Sequence, residues 1–168
     1  MADADHIGAA ASGKVLSLVT FQVGQEVFAV PIEQVREVGR VLPITRVPHA
    51  PPYVVGVINL RGRIVPVIDM HARLGRVKIE DQALRPRMLV SDVREEMPVA
   101  FLVDSVQSIL RIAAERMRPP PEMAVIDVVY IQGVITMENA IIVVLDARRI
   151  LDAAETAQLP ALGAGAHG

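Results

Sequence analysis

Residues 56–69, GVINLRGRIVPVID, decide how the chain is read. Two β-prone apolar runs flank a short polar insert, Asn59-Leu60-Arg61-Gly62, which reads as the turn of a β-hairpin. Strands are predicted at Val54–Leu60 and Arg63–Ile68, with Pro66 placed where no ladder N–H is needed. Asp69 then caps a short helix through Leu74, which Gly75 stops. Asn and Gly are what such a turn requires. The arginine between them is not required, and its presence is the question this stretch poses.

The stretch recurs. Residues 56–74, GVINLRGRIVPVIDMHARL, overlay residues 133–151, GVITMENAIIVVLDARRIL, without a gap at an offset of 77. Upstream, FAVPIEQVREV (28–38) echoes VAFLVDSVQSI (99–109) at an offset of 71. The first unit opens with strands at Val15–Val23 and Val27–Val30. A short helix follows from Pro31, with Ile32, Val35 and Val38 at helical spacing and Gly39 as its stop, so that Glu37 lies near its end. The second unit carries strands at Met88–Asp92, Val99–Val103, Ile109–Ile112, 128–135 and 140–145, and Asp146 is expected to cap a final helix through Ala157. Short, evenly spaced strands point to a mainly all-β protein of two similar five-stranded, SH3-like β-barrel subdomains with short helices. The expected organisation is a flexible tail at 1–13, subdomains at about 14–80 and 81–158, and a second flexible tail at 159–168.

Composition narrows the function. Of 168 residues, 52% are hydrophobic but only 3% aromatic, so the core is aliphatic. With no cysteine there are no disulfides, thiolate nucleophiles or Cys-ligated metal sites. A formal net charge of −2, with scattered arginines, gives no basis for nucleic-acid binding. The N-terminal residues lack the apolar run of a secretory signal, and nothing reaches the roughly 18 apolar residues of a membrane span. The expected compartment is the cytoplasm.

Catalytic signatures are missing too. His6, His49, His71 and His167 contain no pair at metal-binding helical spacing, and no phosphate-binding glycine loop or nucleophile elbow is present. Asp69 and Asp146 occupy equivalent repeat positions and read as helix caps, not as an acid–base pair. His71 reads as solvated, and Gly62, Gly75 and Gly133 as turn or cap glycines. No catalytic, cofactor or metal site is expected. The enzymatic or ligand-binding alternative rests on Asp69, His71 and Arg73 near the first hairpin.

Arg61 belongs to one copy of the repeat only, because the second copy reads Thr136-Met137-Glu138-Asn139 there. The fold therefore does not need it. A planar guanidinium on a hairpin suits an interface anchor, with Glu37 as the partner that orients it.

These segments together resemble the CheW family of chemotaxis coupling proteins over residues 14–158. The resemblance is carried by VTFQVGQEVFAVPIEQVREV, TRVPHAPPYVVGVINLRGRIVPVIDMHARLG with its Asn-Leu-Arg-Gly core, VAFLVDSVQSILRI with the Arg-Pro-Pro-Pro segment after it, YIQGVI and IIVVLDARRIL. It implies two five-stranded β-barrels and a non-enzymatic adaptor without cofactors. The adaptor would couple methyl-accepting chemoreceptors to the histidine kinase CheA, recruited to membrane-associated receptor arrays. The implied partners are the receptor signalling tip, the regulatory domain of CheA and, in rings, other CheW-like domains, with no nucleic acid and no membrane insertion. Carried over by position, the receptor-binding residues are Val35, Glu37, Gly56, Asn59, Arg61 and Gly62, joined across the inter-barrel groove by Asp104, Val106 and Ile109. A CheW-like scaffold of a twitching or developmental system is the alternative. The absence of an attached kinase or receiver domain favours a standalone coupler.

Overall fold

The computed structural model describes residues 13–81, 83–120, 129–152 and 154–160. The sequence expectations for 1–12, for 161–168 and for a strand beginning at 128 lie outside these residues.

Apolar alternation organises the first half into β1 (Val15–Val23), β2 (Glu26–Pro31), β3 (Glu37–Arg40), β4 (Val54–Leu60) and β5 (Arg63–Asp69). Helix α1 (Met70–Leu74) follows. The second half repeats the series as β6 (Arg87–Arg94), β7 (Met97–Val103), β8 (Ser105–Ala113), β9 (Ile131–Thr136) and β10 (Ile141–Leu145). A second helix, α2, covers residues 154–160.

The strands form two five-stranded sheets, ordered β8-β1-β2-β10-β9 and β3-β6-β7-β5-β4. Adding five to each strand number of the first repeat turns one order into the other, so the duplication is real. It is also exchanged. Each sheet joins the two opening strands of one repeat to the three closing strands of the other. Sheet membership therefore does not divide the chain near residue 80, and the expected end-to-end subdomains give way to interleaved ones.

Each sheet curls around a small apolar core. One contains Leu18, Ala29, Ile112, Ile135, Ile142 and Val144. The other contains Ile58, Val65, Val67, Met88, Val90 and Ala100. A larger core, including Phe21, Phe28, Phe101, Ile68 and Leu145, joins the sheets. Neither sheet closes by pairing its own two edges. After β3 the chain returns, and Thr45 exchanges 2.8 Å backbone hydrogen bonds with Val57 at the far edge. Arg118 does the same with Val134 in the other sheet, at 2.9 and 2.8 Å. These crossings explain two glycines. Both Gly56 and Gly133 are buried, and a Cβ on Gly133 would lie 2.6 Å from the Arg118 carbonyl oxygen. A Cβ on Gly56 would collide with the Thr45 carbonyl oxygen in the same way. Gly133 is thus a close-approach glycine inside a strand, not a turn or cap glycine.

Local signals near the first hairpin hold. Asp69 caps α1 by accepting from the His71 N–H at 2.9 Å, and Gly75 ends it at φ 65°. Pro66 faces Val57, whose own backbone groups turn outward to Thr45, and the parallel ladder with β7 begins only at Val67. Two helix expectations fail. After Pro31 a single 3-10 turn (Ile32–Gln34) gives way to β3, because residues 37–40 pair with β6 and an edge partner outweighs a three-residue apolar spacing. Asp146 caps only a turn, accepting from the Arg148 N–H at 3.0 Å. The cap of α2 is Asp152, which exchanges bonds with Glu155 at 2.7 and 2.8 Å in a reciprocal capping box.

The carbonyl contacts make both buried glycines irreplaceable. Gly56→Ala and Gly133→Ala are each expected to lower unfolding free energy by about 1–3 kcal/mol in urea titrations, as forced overpacking does. Alanine at either site without measurable cost would contradict the crossing geometry.

Candidate functional site

The hairpin between β4 and β5 turns on two residues, Arg61 and Gly62, with φ of 51° and 86°. Positive φ at both positions is the type I′ turn that suits twisted strands. The Asn59 side-chain oxygen accepts from the Gly62 N–H at 2.8 Å and braces the turn. Arg61 therefore occupies a backbone region that non-glycine residues rarely adopt. Its side chain runs toward β3, at the other edge of the same sheet. There Nη1 and Nη2 donate to the two carboxylate oxygens of Glu37 at 2.5 and 2.9 Å. Glu37 opens β3 opposite Val90 of β6, so it is a strand residue and not the end of a helix.

This fork spans the seam between edge strands β3 and β4. Beneath it lies a groove of about 350 Å³ whose walls and floor include Gly39, Leu42, Ile58, Leu60, Met88 and Val90. Arg61 is 73% exposed and Glu37 28% exposed. An exposed pair of this kind adds little to stability, but two parallel donor bonds fix the guanidinium plane. The hydrogen bond from Arg61 holds the Glu37 carboxyl below the ordinary glutamate range, and burial opposes this. Because the folded value is depressed, the pair's contribution is complete above the ordinary glutamate range. It is lost as pH falls through the lowered value.

The remaining site residues divide. Asn59 and Gly62 belong to the turn under the fork. Val35 ends the 3-10 turn and packs on the shared core, two residues before Glu37. Gly56 is interior, so it shapes the groove only by admitting Thr45. Asp104, Val106 and Ile109 lie in or beside β8, on the other sheet, and do not line this groove. Val106 packs on the shared core and Ile109 is 57% exposed. Sequence reading missed Met88 and Val90. They come from the second repeat by strand exchange, and only the offset echo between repeats hints at their place.

Asp104 has a different task. Its Oδ2 accepts from the Gly24 N–H at 2.7 Å and meets His71 Nε2 at 2.9 Å, while His71 Nδ1 lies 3.2 Å from Asp69. His71 is only 7% exposed, so the solvated reading was wrong; its partner lies 33 residues away and no local pattern marks it. Arg73 is equally committed, donating to Ile150 O at 2.7 Å and to both Glu155 carboxylate oxygens at 2.8 and 2.9 Å. Its guanidinium also stands 5.3 Å from the Tyr53 ring centroid. Asp69, His71 and Arg73 thus fasten the fold and form no convergent reactive centre. Among the described residues no cluster of three or more acidic or imidazole groups could hold a metal, and no helix is long and apolar enough to cross a membrane.

A β-rich scaffold with one oriented arginine above an apolar groove defines a protein-binding module. Residues 17–155 match the CheW-like domain, and the chain belongs to that family. It is similar to the chemotaxis protein CheW of Rhizobium meliloti (36% identity, covering 82% of this chain and 88% of that one). It is also similar to the probable CheW of Rhizobium etli (35%, covering 83% and 89%). The scaffolding protein CheW from Thermoanaerobacter tengcongensis superposes with a TM-score of 0.75 at 26% identity, over 84% of this chain and 96% of that one. The chain is a chemotaxis coupling adaptor and not an enzyme.

The fork can be tested in the free protein. In a carboxyl NMR titration Glu37 is expected to titrate below the ordinary glutamate range, and Arg61→Ala to return it there. An ordinary Glu37 midpoint in the wild type would contradict the pairing.

Proposed function

We propose that the groove under the Glu37–Arg61 fork grips the helical hairpin at the signalling tip of a methyl-accepting chemoreceptor. Other surfaces engage the regulatory domain of CheA and other CheW-like domains in rings. The observation that carries this reading is the fork itself: a largely exposed guanidinium, held in plane, at the rim of an apolar groove. Apolar side chains of a helix enter such a groove, while the arginine offers donors to an acidic or carbonyl group on the same helix. Arginine is one of the residue types that dominate interface energetics. Val35, Asn59 and Gly62 belong to this surface, and Ile109 with Val106 extends receptor contact onto β8. Asp104 contributes by anchoring the start of that strand. Each interface is small, below about 1,200 Å², and an array supplies residence through multivalency. In this role the chain works in the cytoplasm, at receptor arrays. The relatives named above are chemotaxis proteins, which favours this pathway over a twitching or developmental one.

The test titrates the protein separately with a receptor-tip hairpin and with a CheA regulatory domain. Arg61→Glu is expected to weaken hairpin binding by about tenfold or more, as loss of an interface anchor does, and to leave kinase-domain binding unchanged. Equal hairpin affinities for wild type and variant, or no binding of either partner by wild type, would overturn the reading.

A further inference from the structure

The Arg61 end of the fork is fixed by its own turn, but the Glu37 end is not fixed locally. Strand β3 is four residues long and lies at a sheet edge, pairing only with β6. The chain reaches it from a single 3-10 turn whose last residue is Gln34. The Gln34 amide is held at both of its polar atoms by the far end of the other repeat. Nε2 donates to Asp146 Oδ1 at 3.0 Å, and Oε1 accepts from the Ala147 N–H at 2.7 Å. Asp146 is 6% exposed and is held in turn by the Arg148 N–H, so the anchor point is itself secure. Arg36 then delivers the chain to Glu37, its N–H donating to Val90 O at 2.7 Å and its exposed guanidinium to Asp92 Oδ1 at 3.0 Å.

The duplication supplies a comparison within the molecule. Asp69 is the repeat counterpart of Asp146, and it too is linked to the start of an edge strand. That link runs through His71 to Asp104, immediately before β8. Both repeats therefore tie the start of one repeat's third strand to the aspartate at or just after the end of the other repeat's last strand. At the Glu37 end the tie is a single neutral side chain, three residues from the carboxylate it serves.

We infer that Gln34 is a positioning residue for the groove: its amide, locked onto Asp146 and Ala147, sets where Glu37 meets Arg61. Without that lock, the start of β3 is held only through Arg36 and the edge pairing with β6, and the Glu37 carboxylate can shift relative to Arg61. A two-bond fork is sensitive to such a shift because both donors must stay aligned. The consequence for a partner rests on the receptor-binding reading above; the effect on Glu37 does not.

The experiment measures the Glu37 carboxyl titration by NMR in the full chain, then binding of a receptor-tip hairpin and a CheA regulatory domain. The proteins are wild type, Gln34→Leu and Gln34→Glu. Gln34→Leu is expected to move the Glu37 midpoint up toward the ordinary range. It is also expected to weaken hairpin binding by about three- to tenfold, the effect of one lost hydrogen-bonded contact. Kinase-domain binding should not change. Gln34→Glu, which turns a carboxylate on Asp146, should act in the same direction. A merely structural glutamine would lower thermal stability without moving Glu37. An unchanged Glu37 midpoint in folded Gln34→Leu or in folded Gln34→Glu would overturn the inference. The titration uses the protein alone, so its failure is separable from failure of the receptor reading, which Arg61→Glu tests.

Discussion

The pairing of two strands from one repeat with three from the other governs most of what this protein presents at its surface. Neither repeat completes a sheet by itself, because β3 pairs with β6 and β1 pairs with β8 on the side away from β2. The groove inherits this dependence. Its rim, Glu37 and Arg61, comes from the first repeat, while Met88 and Val90 in its lining come from the second. The exchange also creates the joints between sheets, where Asp146 meets Gln34 and His71 meets Asp104 from distant parts of the chain. The groove is therefore built from both halves of the molecule.

Duplication with divergence explains why only one seam carries an arginine. Position 37 corresponds to Ser108 and position 61 to Glu138, so the second seam has no counterpart of the fork. Ser108 instead bonds across to Thr20, with its N–H donating to Thr20 Oγ1 at 3.1 Å. One copy keeps polar groups for holding strands together. The other releases them toward solvent, where an exposed ion pair is only a weak stabiliser.

What the sequence revealed and what it hid follow the range of the interactions. The β4–β5 hairpin, the α1 cap at Asp69 and the stop at Gly75 depend on neighbours within a few residues, and all were legible. So was the Glu37–Arg61 pair, once the repeat showed that the turn does not need arginine. The four residues of β3 were misread as helix because Ile32, Val35 and Val38 fit a helical spacing over too short a span to be decisive. Their strand state comes from β6, fifty residues onward. His71 was misplaced for the same reason, its burial being decided by Asp104. Gly133 looked like punctuation because a carbonyl crossing from residue 118 leaves no mark in local sequence. The exchange itself was invisible, since a tandem repeat is equally consistent with two end-to-end barrels.

The measurement that bears most directly on this account is fragment complementation, with the chain divided between residues 80 and 81, in the segment joining α1 to β6. Interleaved sheets require that residues 14–80 and 81–160 each lack a cooperative unfolding transition alone. An equimolar mixture should recover the β-sheet circular dichroism and the depressed Glu37 titration of the intact protein. A cooperative transition in the isolated 14–80 fragment, with Glu37 already paired to Arg61, would contradict it.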